Sequence, residues 1–225
     1  MGNIVESKGW NWAIVDKKAA EPWLTPSKEA YYYLHRWSEQ GKKDMLDLGC
    51  GLGRHTLQFA RAGFNVSALD ISSDAVEFTK NAAQQENLAI RATVGDMLSL
   101  PYEDNSIDCI FCRNVMSHTD TNGIKQIISE IARVLRTDGE IYLTLAAKEA
   151  WGFQQDWPMI DENTKLRMEE GPEYKVPHFY ADYELIKDLF CKDFFAEDIY
   201  KVCDYQNHNG EISESWHYHL LMRKK

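Results

Sequence analysis

Residues 44–55 read Asp44-Met45-Leu46-Asp47-Leu48-Gly49-Cys50-Gly51-Leu52-Gly53-Arg54-His55. Met45, Leu46 and Leu48 make a short apolar run, and glycines then fall at every second position, the pattern of a buried strand breaking into a loop of bare backbone. A helix is predicted next, over His55 to Ala62, with Leu57, Phe59 and Ala60 as its apolar residues and Gly63 suited to the left-handed position after it. Strand, glycine loop and helix make a cradle for a nucleotide cofactor. The missing side chains let a ligand come close, and the helix N-terminus offers unpaired N–H groups to an anion.

The dinucleotide fingerprint G-x-G-x-x-G fails here in both registers, because its third glycine falls on Arg54 or on Thr56. What stands is D-x-G-x-G-x-G, with Asp47 two residues before the first glycine and a second acid, Asp70, ending the next hydrophobic strand, Phe64 to Leu69. A carboxylate there suits a ribose diol, which donates two hydrogen bonds to it. In these residues the chain resembles the class I S-adenosylmethionine-dependent methyltransferases. The resemblance implies an α/β fold, a Rossmann-like doubly wound sheet of seven strands in the order 3-2-1-4-5-7-6 with the last strand antiparallel. It implies S-adenosylmethionine as cofactor and S-adenosylhomocysteine as product, with the methionine part over Gly49, Gly51 and Gly53, Asp47 near its amino group and Asp70 on the ribose hydroxyls.

The third strand is read at Leu88 to Val94 and ends in Gly95-Asp96-Met97. By the same resemblance Asp96 accepts the adenine amino group, and Ile71, Met97 and Arg113 join the cofactor-binding set. A fourth strand, Ile107 to Cys112, leads into Arg113-Asn114-Val115-Met116-Ser117-His118, which should face the methyl group, since ligands sit at the carboxyl ends of strands flanking the switch point. The N/D-P-P-Y/F motif of nucleobase and glutamine amino-methyltransferases is absent there, against DNA amino-group methylation. Cys109 and Cys112 look like a metal or redox pair, but on a strand residues three apart point to opposite faces.

With 35 acidic against 25 basic residues and a formal charge of −10, the chain disfavours nucleic acid and anionic membrane as partners and leaves a small-molecule substrate. No apolar run approaches the roughly 20 residues that span a bilayer. Five cysteines without scaffold spacing suit a reducing compartment, so a cytoplasmic protein is expected. The sequence is silent on oligomeric state.

Residues 1–44 concentrate aromatics, with a helix predicted from Ser27 to Gln40, and are read as an N-terminal helical lid segment before the cofactor domain, residues 45–225. Cofactor sulfonium is attracted to aromatic faces, which makes Trp10 and Trp12 candidates to line the site. Ser72 and its neighbours offer N-caps to a helix running to Glu86, and Thr121 is read as the cap of a helix whose Ile124, Ile127, Ile128, Ile131 and Leu135 form one apolar stripe. Arg136 to Gly139 is read as a turn before a fifth strand, Ile141 to Ala147. Residues 148–181 break pattern and are read as a substrate-cap insertion. A helix from Asp182 to Phe190 follows, then strands Phe194 to Val202 and Ser215 to Met222 joined by a polar loop over 207–210.

His118 and His178 are the candidate catalytic residues, since a histidine titrating near neutrality can take a proton from an oxygen or ammonium acceptor. His217 and His219 share one face of the last strand, yet nothing in the sequence completes a ligand set around them, so no metal is expected. A nicotinamide-dependent oxidoreductase and a non-catalytic S-adenosylmethionine-binding protein remain as alternatives.

Overall fold

A computed structural model describes residues 7–12, 23–208 and 211–225. Strands β1 (Asp44–Leu48), β2 (Asn65–Asp70), β3 (Ile90–Val94), β4 (Ile107–Cys112) and β5 (Leu135–Ala147) lie parallel in the order 3-2-1-4-5. Strand β10 (Glu211–Lys224) runs antiparallel along the outer edge of β5, and β9 (Phe194–His208) pairs beyond it. These are the seven strands expected, in the expected order.

Three further strands extend the sheet: β6 (Met159–Asp161), β7 (Thr164–Leu166) and β8 (Pro177–Ala181). Ala146 of β5 pairs with His217 of β10 on one edge and with Tyr180 of β8 on the other. Past the end of β4, the edge of β5 that β4 leaves free is therefore taken over by β8. The excursion over 148–181 is thus a small antiparallel sheet preceded by the helical turn α5 (Trp151–Gln154).

Helices α1 (Lys28–Glu39), α2 (Arg54–Arg61) and α3 (Ser73–Gln85) pack on one face of the sheet; α4 (Thr121–Val134) and α6 (Tyr183–Phe190) cover the other. Strands covered on both sides favour apolar residues on both faces, which is why β1 and β4 are mostly apolar, with Asp47 the buried exception in β1. Cys109 joins the core beneath α1 and Cys112 the core beneath α4, so the two thiols are buried on opposite faces and cannot chelate one ion. Glu140 pins α1 to β5: its buried carboxylate accepts hydrogen bonds from the guanidinium of Arg36, the indole N–H of Trp37 and the amide of Gln40.

Three local expectations change. Asp120, not Thr121, caps α4, its Oδ1 accepting the Gly123 N–H at 2.7 Å. Thr121 instead gives its N–H and its hydroxyl to the two oxygens of Asp161, 2.9 Å each, tying β6 to the start of α4. The turn expected at Arg136 to Gly139 is absorbed into β5, with Asp138 in the left-handed region at φ 60°. The final hairpin is longer than expected, because β9 continues to His208 and β10 begins at Glu211; Asn209 and Gly210 of the expected loop, with residues 1–6 and 13–22 of the lid segment, lie outside the described residues. Among the described residues no helix is long and apolar enough to cross a membrane.

Candidate active site

The loop after β1 keeps its shape through backbone torsions: Gly49, Gly51 and Gly53 have φ of 75°, 52° and 79°. The N–H groups of Gly49 and Cys50 both donate to the carbonyl of Leu69, 2.7 and 3.0 Å away, so the loop is laid across the end of β2. A Cβ on Gly49 would lie 2.3 Å from Val115 Cγ2, and one on Gly51 would meet the ring of Trp12 at 3.0 Å. Gly49 lets the end of β4 approach; Gly51 leaves room on the cavity side. Gly53 faces away, against Thr79, and does not line the cavity.

That cavity, about 650 Å³, opens at the carboxyl ends of β1, β2 and β4. Asp70 and Ile71 form part of its floor, with Met97 beside them. The carboxylate of Asp70 accepts the Gly51 N–H at 2.8 Å and the Ser72 N–H at 2.9 Å, and burial raises its pKa. Arg113 enters from the end of β4, its guanidinium 3.5 Å from buried Glu29.

Two of the expected acids stand elsewhere. Asp47 lies beneath the glycine loop, fully buried, where its Oδ2 accepts the Thr56 hydroxyl at 2.6 Å; burial pushes its carboxyl up to about 6. It therefore does not line the cavity, because its strand position points it into the protein rather than toward the loop's open side. Asp96 lies outside the cavity wall too, its Oδ1 taking the Ser7 hydroxyl at 2.6 Å and the Leu98 N–H at 2.9 Å.

Residues 7–12 form a strap over the cavity. Lys8 donates its N–H to the carbonyl of His118 at 3.2 Å, and Asn11 donates to that of Pro172 at 3.1 Å. Trp10 packs on Trp12 and Trp23, with ring centroids 5.2 and 4.6 Å away, and the Arg54 guanidinium sits 4.9 Å from the Trp23 ring. Trp10 and Trp12 line the cavity, and Trp23, which the sequence did not single out, completes the indole cluster.

The candidate bases meet on a residue that sequence reasoning missed. Phe179 of β8 donates its N–H to the carbonyl of Ser117 at 2.8 Å, which brings His178 beside His118, ring centroids 5.0 Å apart. Between them stands Glu173, Oε1 at 3.2 Å from His118 Nε2 and Oε2 at 3.5 Å from His178 Nε2. The same carboxylate accepts the Trp10 indole N–H on Oε1 and Arg167 Nη1 on Oε2. Burial opposes its charge, but the hydrogen bonds and charges of the two histidines outweigh burial and hold it well below the usual carboxylate range. Burial lowers the pKa of His178. His217 lines the cavity too, burial and His219 lowering it to about 4, whereas His219 turns to the Tyr142 hydroxyl at 2.8 Å.

Residues 45–139, from β1 into the start of β5, match the family model described as a methyltransferase domain. The chain carries a methyltransferase domain. It is 34% identical over 118 residues to the biotin biosynthesis bifunctional protein BioHC of Cellvibrio japonicus, a match covering 52% of this chain and 22% of that protein. It is 30% identical over 118 residues to the malonyl-[acyl-carrier protein] O-methyltransferase of Pectobacterium atrosepticum, covering 52% of this chain and 44% of that one. The chain thus spans less than half the length of these curated relatives. A crystal structure described as a SAM-dependent methyltransferase from Methanosarcina mazei shares the fold, with a TM-score of 0.70 at 21% identity, over 89% of this chain and 99% of that one.

S-adenosylmethionine is the cofactor that the sequence resemblance implies for this methyltransferase domain, and the residues present fit it. The Gly51 face carries no Cβ, the Asp70 carboxylate keeps lone pairs beyond its two backbone bonds, and indole faces close the far side.

Proposed function

We propose that the protein transfers a methyl group from S-adenosylmethionine to a small-molecule acceptor. One observation carries the reading: a single roofed cavity holds the bare Gly51 face and Asp70 on its floor and His118 and His178 on its wall. Asp70 takes the ribose hydroxyls, Ile71 and Met97 flank the adenine, and Asp96 accepts its amino group once Ser7 gives way. Trp10 and Trp12 offer ring faces to the sulfonium, and Arg113 stands near the methionine end. Asp47 acts from behind, holding Thr56 and the loop.

The bound cofactor supplies an activated methyl on sulfur. The chain's own contribution is to fix the acceptor in line with the departing sulfur and to keep water out, which alone can supply most of the acceleration. The strap and the β6–β8 sheet provide the exclusion, and His118 and His178 meet the acceptor's reacting atom. The acidic surface supports a small acceptor over nucleic acid, and five free cysteines support a cytoplasmic location.

Calorimetric titration with S-adenosylmethionine and with NADH tests the cofactor: micromolar binding of the first and none of the second is expected, and the reverse result overturns the reading. A transfer screen with methyl-labelled cofactor over amines, thiols, phenols and carboxylates tests the activity. Cofactor binding with silence across all four classes would leave a binding protein in place of an enzyme.

A further inference from the structure

We propose that His118, Glu173 and His178 form a site for a divalent transition-metal ion of the zinc class, with a coordination position open to the cavity. Binding of the ion stands on geometry alone; its use on an acceptor rests on the methyl-transfer reading above.

The three ligand atoms lie within 4.8 Å of one another, and all three residues line the cavity. His178 Nδ1 is 3.1 Å from the carbonyl of Val176, and a carbonyl only accepts, so Nδ1 carries the ring proton. In a neutral ring Nε2 is then a lone pair, and it faces Glu173 Oε2 at 3.5 Å. Two lone pairs confront each other. The other tautomer merely moves the conflict to Val176. Either a second ring proton or a metal ion between Nε2 and the carboxylate satisfies both contacts, and the spacing favours the ion.

The two imidazole–carboxylate spacings, one on each oxygen of Glu173, agree with this. Charge-assisted hydrogen bonds close to about 2.7–2.9 Å, whereas these approaches are 3.2 and 3.5 Å. Two ligand atoms each about 2.1 Å from one tetrahedral ion lie about 3.4 Å apart. The surroundings also have the form that ligands need: Val176 orients one imidazole, while Trp10 and Arg167 each hold one oxygen of the carboxylate. Two imidazoles and one carboxylate suit zinc, cobalt, nickel or ferrous iron rather than magnesium or calcium, which prefer oxygen. Arg167 shares the charge of Glu173, so the ion should be held weakly enough to come off to a chelator. An acceptor hydroxyl or thiol is the natural occupant of the open position, where the ion would lower its pKa.

The test is titration of the chelator-stripped full chain with Co²⁺, followed by visible absorbance, then displacement by Zn²⁺. One equivalent per chain is expected, with affinity at least tenfold weaker in Glu173→Gln and in His118→Asn, and unchanged in His217→Ala. Circular dichroism of each variant separates lost ligation from lost folding. No cobalt band, or a band indifferent to both substitutions in folded protein, overturns the proposal. Cofactor titration on the stripped protein is independent of that result, so failure here leaves the methyltransferase reading standing.

Discussion

The N–H of Phe179 and the carbonyl of Ser117 are 2.8 Å apart, and that bond joins the end of β4 to β8. The next residue on one side is His118 and the preceding residue on the other is His178, so a main-chain contact sets the spacing of the two imidazoles. The architecture makes the following outcomes expected.

Gly49→Ala should cost about 2–4 kcal/mol, since an L side chain is forced to positive φ and its methyl meets Val115. In a Val115→Ala background the clash goes and only the torsional part, about 1–2 kcal/mol, should remain. Urea melts of the four proteins check this; equal costs in both backgrounds would show that Val115 is not the obstacle.

Asp70→Ala should weaken S-adenosylmethionine binding by about 1–3 kcal/mol, the cost of leaving ribose hydroxyls unpaired. Calorimetry measures it, and an unchanged affinity removes Asp70 from the site.

Asp47 has its pKa raised to about 6 by burial. A raised value means that the folded state prefers the proton. The associated stability is present below the ordinary value near 4 and is lost as pH rises through about 6, a difference of about 3 kcal/mol. Asp47→Asn, which keeps an acceptor for Thr56, should therefore be more stable than the parent at pH 7, with the gap closing toward pH 4. A gap independent of pH in denaturant melts would contradict this.

Glu140→Ala should destabilise by about 3–5 kcal/mol, because it strands the buried Trp37 indole N–H and the Arg36 guanidinium. The expected signature is a large fall in Tm, with α1 the first element to lose amide-exchange protection.

Trp12→Leu should weaken cofactor binding by about 1 kcal/mol and Trp12→Phe by less, as expected of a ring face over a cation. Equal losses in a fluorescence titration would assign Trp12 to plain packing.

The floor of the site was legible in the sequence because its signals are local. Glycines at 49 and 51 follow directly on an apolar strand, and Asp70 ends the next one, whereas Gly53, read with them, faces Thr79. The roof was not. Strands β6 and β7 are three residues each, too short for an alternation to show. Glu173 sits in a polar stretch with no periodicity, and its partners lie 55 residues before it and 5 after, so only the sheet brings them together. Asp47 was misplaced for a related reason: motif spacing gives its rank along the strand, whereas the side on which its carboxylate emerges depends on packing against α2.

The small sheet over 151–181 joins the main one by two rungs, Ala146 to Tyr180 and Ala147 to Ala181. The segment from Trp151 to Val176 is held by that joint, the Phe179–Ser117 bond, the Thr121–Asp161 tie and the strap, while the glycine loop and Asp70 rest on β1 and β2. Such a roof is a graft. A lineage could exchange it for one shaped to a different guest and inherit the nucleotide seat untouched.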